Sequence, residues 1–243
     1  MSRALVQQHL DDLAGQGRRV DFWLRDDDAV RPTPALERLL SLAARHAVPL
    51  TLAVIPEETD EDLADRLAAE PDVTVAVHGW SHRSYSKPPA KKQELGLDRP
   101  LNMVLDELAA GFRKLEALHG PRFQPMLVPP WNRIAAEIVE ALPDLGFRSL
   151  SVFGREKPAA LPLLNTHLDI MDWHGTYGGR PSDSLYAELL EHLHAEPALS
   201  AIGVLTHHLV HDAAAWDFLE DLLALTARHP ACRWRAAPDL LAG

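Results

Sequence analysis

Short apolar runs alternate with longer segments of helical periodicity along most of this chain. Seven runs have the length and composition of β-strands. They are Val20–Leu24, Leu50–Ile55, Val73–Val77, Pro125–Val128, Ser149–Phe153, His167–Ile170 and Ile202–Thr206. The helical segments are Pro34–His46, Thr59–Glu70, Leu101–His119, Arg133–Leu142, Ser184–His194 and Ala213–His229. This order predicts βα units built on a parallel sheet.

The size and composition favour one globular domain spanning residues 1–243. The chain has 243 residues, of which 47% are hydrophobic and 24% charged, so a substantial core is expected. Its formal net charge of −11 argues against nucleic acid or an anionic membrane as partner, because either needs a basic patch. The oligomeric state is left open. Cys232 is the single cysteine and follows an apolar stretch, which predicts a buried, inert thiol.

The first 19 residues predict an amphipathic helix without the apolar core and cleavage site of a secretory signal. No segment approaches the roughly 20 apolar residues that a membrane span needs. We therefore expect a cytoplasmic protein. Three stretches depart from the strand and helix rhythm, namely Arg83–Pro100, Gly154–Pro162 and Trp173–Ser184, and we expect them around the mouth of a cleft.

Polar residues follow the predicted strands where the chain leaves the sheet, which is the edge at which parallel α/β proteins build their sites. The first strand runs into Asp26-Asp27-Asp28 and the third into His78 and His82. Three adjacent carboxylates alone are more typical of a solvated turn that caps the next helix than of a cation site, but the preceding apolar strand makes a bound cation a stronger alternative. The His-x-x-x-His spacing suits Zn²⁺ but is weak alone, since His207 and His211 repeat it. Two histidines and one aspartate would leave a coordination position open for water, with a second aspartate as general base.

The last predicted strand ends in two adjacent histidines, and strand alternation lets only one of them face the cleft. We choose His207 as the general acid over His208, because it is nearer the strand body. Asp169 or Asp172 is expected to orient that imidazole. The tryptophans beside these clusters suit either a sugar-binding cleft or the core. Together these clusters supply the expected substrate contacts: Trp80, Pro130, Trp131, Arg133, Asp172 and Trp173.

These five clusters, in this order, resemble the five motifs of the polysaccharide deacetylases, the NodB-homology domain of carbohydrate esterase family 4. The resemblance covers about residues 20–208, and residues 209–243 are expected to form a C-terminal helix and strand. It implies a distorted (β/α)₇ barrel and a base aspartate followed directly by a metal-binding aspartate. That pair is either Asp26-Asp27 or Asp27-Asp28, and the similarity to divergent members favours the second.

The resemblance implies His78 and His82 as metal ligands, His207 as general acid, and hydrolysis of an acetyl group from a carbohydrate or small amide. The metal is a divalent ion, Zn²⁺ first, with Co²⁺, Ni²⁺ or Mn²⁺ as alternatives. This chain has Val128 where the family's third motif carries an arginine, and Arg25 or Arg133 is the candidate substitute. A small intracellular acetylated sugar or amide is the expected substrate.

Two other hypotheses remain at this stage. The missing arginine is compatible with a non-catalytic relative that binds a carbohydrate or metabolite in the same cleft. Alternatively, an unrelated metal site would use His207, His208, His211 and Asp212 near the C-terminus.

Overall fold

The protein is described from a computed structural model, in which residues 1–195 and 199–242 are placed. One parallel sheet organises the fold. Its strands are β1 (Val20–Ala29), β2 (Leu50–Val54), β3 (Val73–His78), β4 (Phe123–Val128), β5 (Ser149–Leu150), β6 (Leu168–Asp169), β7 (Ile202–Thr206) and β8 (Cys232–Trp234). The strand order is β5-β4-β3-β2-β1-β7-β6, and β8 pairs with the start of β1.

Helices cover the outer face of this sheet. The α-helices are α1 (Ser2–Gly15), α2 (Pro34–His46), α3 (Glu61–Leu67), α4 (Leu101–His119), α5 (Ala136–Ala141), α6 (Ser182–Leu193), α7 (Ala213–Thr226) and α8 (Ala237–Leu241). Short 3₁₀ turns occupy Gly120–Arg122, Pro130–Asn132, Leu142–Leu145 and His208–Val210. The predicted distorted (β/α)₇ barrel is confirmed.

The barrel is distorted because β5 and β6 do not pair with each other directly. The segment between β5 and β6 forms two isolated β-bridges instead, in which Leu150 pairs with Leu163 and Phe153 pairs with Thr166. The predicted strands at Ser149–Phe153 and His167–Ile170 are therefore two-residue strands in the structure. Residues 83–100 and 154–162 contain no helix or extended strand, so they are loops as predicted, whereas the third predicted loop, Trp173–Ser184, ends inside α6, which begins at Ser182.

Two apolar clusters show which strand residues face inward. The large cluster lies between sheet and helices and includes Phe22 and Leu24 of β1. The smaller one lies inside the curled sheet and includes Trp23, Ala53, Ala76 and Val128. Side chains alternate along a strand, so residues in phase with Trp23 point into the barrel and those in phase with Phe22 point toward the helices.

The helix boundaries follow from local capping. The hydroxyl of Thr33 accepts a hydrogen bond from the backbone N–H of Leu36 at 3.0 Å, and Pro34 occupies the first turn of α2. Cys232 is buried, as its sequence context predicts. No helix of residues 1–195 and 199–242 has the length and apolarity needed to cross a membrane.

Candidate active site

The end of β1 is irregular, and this irregularity determines where the side chains of Asp26, Asp27 and Asp28 point. Between the pairs Asp26–Leu52 and Ala29–Val54, β1 advances three residues while β2 advances two. The extra residue forms a bulge, and Asp28 takes up the left-handed backbone with φ of 74°. A regular strand would turn Asp28 away from Asp27. The bulge instead lets both carboxylates reach the polar mouth of the barrel.

Asp28, His78 and His82 form a compact group of potential metal ligands. Asp28 Oδ1 lies 3.1 Å from His78 Nε2 and 3.3 Å from His82 Nε2. Their ligand atoms all lie within 4.8 Å of one another. Ligands of a tetrahedral Zn²⁺ at ordinary bond lengths are separated by roughly 3.3 Å. The three side chains therefore fit one divalent ion with little rearrangement.

The second nitrogen of His78 supports this assignment. Nδ1 lies 2.9 Å from the carbonyl oxygen of Val128, which can only accept, so Nδ1 carries the proton. A neutral ring then presents a lone pair at Nε2, directly toward the carboxylate of Asp28. Two acceptors at 3.1 Å need a cation or a proton between them. A backbone carbonyl that fixes the tautomer of a histidine ligand is a common feature of metal sites.

All three potential ligands have shifted pKa values. Burial would lower the pKa of His78, but the charge of Asp27 and the hydrogen bond to Asp28 raise it, so without an ion a proton on Nε2 joins His78 to Asp28, and a bound ion would replace that proton. Burial alone would raise the pKa of the Asp28 carboxyl, but the hydrogen bond and charge of His78 lower it strongly. Burial, and then the charge of His78, lowers the pKa of His82 below its ordinary value. Asp28 is therefore a carboxylate and His82 is easily neutral, which are the forms that bind a metal ion.

Asp27 is held by Arg25, two residues earlier on the same face of β1. The guanidinium donates from Nε to Oδ1 at 2.9 Å and from Nη2 to Oδ2 at 3.1 Å. It also donates to Ser151 Oγ at 2.6 Å and to Asn132 Oδ1 at 3.4 Å. The Arg25 side chain is fully buried. Arg133 instead donates to the carbonyl of Lys92, so Arg25 is the arginine that contacts Asp27.

His207 also lies near the Asp27 carboxylate. Its Nε2 is 4.0 Å from Asp27 Oδ2, and its Nδ1 is buried without a hydrogen-bond partner within the described residues. The ring meets Trp173 edge to face, with centroids 4.6 Å apart. Trp173 Nε1 donates to Asp169 at 2.8 Å. Burial raises the pKa of Asp169, and the nearby His207 opposes that rise.

Asp26 faces the opposite side of β1 and does not join the group around Asp28. Its carboxylate accepts from the Thr206 hydroxyl at 2.7 Å and from the backbone N–H of His208 at 2.8 Å, and it pairs closely with His208 Nδ1. Burial would raise the pKa of Asp26, but His208 and Thr206 lower it. The contacts thus favour Asp27-Asp28 over Asp26-Asp27 as the base and ligand pair.

The predicted substrate-contact residues occupy different places. Trp131 lies beside the ligands, with its ring centroid 4.5 Å from that of His82. Arg133 lines a cavity of about 770 Å³ together with Asn132 and Lys157. Asp172 accepts hydrogen bonds from Thr176 within its own loop.

Trp80 and Pro130 lie around the backbone of the His78 to His82 segment. A Cβ placed on Gly111 of α4 would lie 3.5 Å from the Trp80 ring, so this ring packs toward the helix layer. Pro130 is buried, and its Cγ is 2.7 Å from the Cβ position of Gly79. Trp80 therefore anchors the segment that carries His82 to the helix layer, and Pro130 packs against its backbone at Gly79.

The second histidine cluster has a different role. His211 Nε2 accepts the backbone N–H of His207 at 3.3 Å, and burial lowers the pKa of His211 to about 4. Asp212 caps α7 by accepting from the N–H of Ala215. Within residues 1–195 and 199–242, Asp28, His78 and His82 are the one group of three side chains arranged to hold a metal.

Sequence reasoning missed Ser151, Asn132 and Glu94. Asn132 follows β4 and Ser151 follows β5, and both accept hydrogen bonds from Arg25 of β1, so only the folded sheet brings them together. Glu94 is buried although its segment is rich in lysine and proline, so composition predicts an exposed side chain there.

The chain is similar to known proteins in its structure. No protein-family profile and no curated protein matches the sequence. A provisionally named polysaccharide deacetylase from Mycobacterium smegmatis superposes with a TM-score of 0.71 over 93% of this chain and 90% of its own, at 15% identity. The chain has the fold of the polysaccharide deacetylases. The resemblance predicted from the five clusters is confirmed at this level.

Two further structures share the deacetylase fold. A family 4 acetyl xylan esterase from Clostridium thermocellum, solved with a cobalt ion, matches with a TM-score of 0.59 over 91% of this chain and 90% of its own, at 13% identity. A mutant of BA3943, a family 4 pseudoenzyme with restored activity, matches with a TM-score of 0.60 over 92% of this chain and 68% of its own, at 15% identity. The deacetylase fold therefore includes both active and inactive proteins.

Proposed function

We propose that this protein is a metal-dependent hydrolase that removes an acetyl or related acyl group from an N- or O-acylated carbohydrate or small amide. The observation that carries the proposal is the arrangement of Asp28, His78 and His82 beside a buried Arg25–Asp27 pair and His207. Ligands, base and acid meet at one edge of the sheet, which is what acyl hydrolysis requires.

Asp28, His78 and His82 would hold the ion, and their mixed nitrogen and oxygen donors suit Zn²⁺, with Co²⁺, Ni²⁺ or Mn²⁺ as alternatives. A divalent ion bound there supplies Lewis acidity, which polarises the acyl carbonyl and makes water a stronger nucleophile. Three protein ligands leave coordination positions open for substrate and water.

Asp27 would act as general base and take a proton from the attacking water. Its charge is balanced by the buried guanidinium of Arg25, which also fixes the direction of both carboxylate oxygens. His207 would donate a proton to the leaving nitrogen or oxygen as the bond to the acyl carbon breaks. The products are the carboxylic acid and the free amine or alcohol, so the atoms balance with one added water.

Aromatic rings flank the two ends of this arrangement. Trp131 lies against His82, and Trp173 lies against His207. Aromatic faces next to polar groups suit sugar rings, which present apolar C–H faces and polar hydroxyls.

The direct test combines metal analysis with a screen for acetate release. The purified protein, loaded with Zn²⁺ or Co²⁺, is incubated with N-acetylated sugars, sugar nucleotides and small acetamides. We expect about one ion per chain and acetate release that Asp27→Asn and His207→Ala reduce by at least roughly 100-fold. His174→Ala removes an exposed histidine and serves as control. A protein that takes up no ion under these conditions contradicts the proposal.

A second candidate is a non-catalytic binding protein with the same cleft. It is favoured by Val128 in place of the third-motif arginine and by the pseudoenzyme among the proteins of similar fold. The Arg25–Asp27 pair favours the enzyme, because an arginine still supports the base. Ligand binding that persists in an Asp27→Asn, Asp28→Asn double variant, without turnover by the parent, would favour the binding protein.

A further inference from the structure

Glu94 is a buried carboxylate in the loop between β3 and α4. Its side chain is 1% exposed. The carboxylate accepts hydrogen bonds from the backbone N–H groups of Trp80, Ser81 and His82 at 3.3, 2.7 and 3.2 Å, and from the Ser81 hydroxyl at 3.0 Å. Four donors from one short segment thus converge on a single side chain 12 to 14 residues away.

The backbone of that segment explains why a carboxylate is needed. Gly79 and His82 both have left-handed backbones, with φ of 59° and 54°. Left-handed turns point successive N–H groups toward one spot and create a small anion-binding concavity. The conformation is unfavourable for histidine, which has a Cβ, so it persists only where surrounding contacts impose it. Glu94 supplies those contacts.

Gly79 completes this arrangement. A Cβ at position 79 would lie 2.3 Å from Glu94 Oε2 and 2.7 Å from Pro130 Cγ. Any side chain there would displace the carboxylate from the N–H groups. Position 79 of the His-x-x-x-His segment therefore requires glycine, because the Glu94 carboxylate occupies the space of a Cβ.

The three proposed metal ligands differ in how their backbones are held. Asp28 lies in the bulge of β1, between the paired residues Asp26 and Ala29, and His78 ends β3, where it pairs with β4, so a strand carries each of them. His82 lies beyond the end of β3 and belongs to no strand or helix. Its backbone N–H is bound by Glu94, and its ring lies against Trp131.

We propose that Glu94 is a positioning residue that holds His82 in the conformation needed for metal binding. This inference rests on the proposed function, since it assumes that His82 is a ligand. Glu94 acts through the backbone of residues 80–82, so its loss should weaken metal binding more than it weakens the fold.

The test compares Glu94→Gln with Glu107→Gln. Glu107 in α4 forms a two-oxygen ion pair with Arg99, at 2.8 Å for each contact, near the other end of the same loop. The Glu107 variant loosens that end without touching residues 80–82. Co²⁺ affinity is measured by chelator competition, the Co²⁺ absorption spectrum reports ligand geometry, and metal-free unfolding reports stability.

We expect Glu94→Gln to weaken Co²⁺ binding by roughly 10- to 100-fold and to change the spectrum, because an amide directs N–H groups at backbone donors. Glu107→Gln should bind within about twofold of the parent. Ser81→Ala removes one donor and keeps Glu94, so it should lie between the two. It also provides the decisive comparison if the Glu94 variant does not fold.

Two results would overturn the inference alone. One is Co²⁺ binding by the parent that neither Glu94→Gln nor Ser81→Ala weakens. The other is an equal loss in the Glu94 and Glu107 variants, which would show that loosening the loop is sufficient. A parent that binds no Co²⁺ would instead overturn the proposed function and this inference with it.

Discussion

Replacing Arg25 with methionine should destabilise the protein far more than breaking an exposed pair of the same geometry. Arg25 is fully buried and donates four hydrogen bonds, two of them to Asp27. Methionine fills part of the same volume without a charge. Asp27, whose side chain is only 4% exposed, then loses the cation that neutralises it.

The expected loss follows from that unpaired charge. Breaking a buried ion pair by removing one partner destabilises proteins by about 3–5 kcal/mol. For a chain of this size, each kcal/mol lowers Tm by roughly 2–4 °C, so a decrease of about 6–20 °C is expected. Since native domains are stable by about 5–15 kcal/mol, the variant should still fold.

The control is Arg66→Met. Arg66 contacts both oxygens of Glu37 at 2.6 and 2.7 Å and also Glu70 at 2.8 Å, but these side chains are 26%, 46% and 22% exposed. Solvent screens such pairs, so the loss of both should cost at most about 2 kcal/mol. Urea unfolding followed by tryptophan fluorescence, in a chelator that removes metal, measures both variants.

A double-mutant cycle then isolates the contact between Arg25 and Asp27. In an Asp27→Asn background no buried charge is left behind, so Arg25→Met should cost less than in the parent, with a coupling of about 2–3 kcal/mol. Additive effects, or an Arg25 variant no less stable than Arg66→Met, would refute the assignment of Arg25 as the electrostatic partner of Asp27.

Three other outcomes are expected. Burial and then the charge of Arg122 lower the pKa of His119 to about 4, below the ordinary 6.5. The neutral His119 therefore supports the stability of the folded state fully above pH 6.5, and this support is lost as the pH falls toward 4. The free energy of unfolding should therefore fall by about 3 kcal/mol less between pH 7 and pH 4 in His119→Gln than in the parent. An equal fall in both proteins would contradict this. Burial raises the pKa of the Cys232 thiol to about 12, so a thiol reagent at pH 8 should label it only after denaturation, and rapid native labelling would contradict its burial. His211→Ala should keep Co²⁺ while His82→Ala loses it, and the reverse result in metal analysis would move the ion to the C-terminal cluster.

Helix boundaries were the most predictable part of the fold. The predicted limits Pro34–His46 and Leu101–His119 are those of α2 and α4. Both depend on signals within the segment, such as the Thr33 cap and the spacing of apolar residues. Predicted helices Thr59–Glu70 and Arg133–Leu142 are shorter in the structure, at Glu61–Leu67 and Ala136–Ala141.

The extent of β1 could not be predicted from local sequence. The predicted strand ends at Leu24, whereas β1 continues to Ala29 through Arg25 and the three aspartates. Charged residues disfavour strands, but pairing with β2 on one side and β7 on the other outweighs that preference. Both partners are distant in sequence. Once β1 is extended, simple alternation places Arg25 and Asp27 on the same face.

The three adjacent aspartates are tolerated because each has a different electrostatic partner. Asp26 pairs with His208 on the helix side of the sheet, and Asp27 pairs with Arg25 inside the barrel. Asp28 faces two imidazoles, of which His78 has its Nδ1 proton committed to a backbone carbonyl. Asp28 is thus the one aspartate of the three that lies between potential metal ligands and has no guanidinium beside it. A divalent ion at this position would neutralise the remaining charge, and this is why we assign the ion to Asp28 and the proton transfer to Asp27.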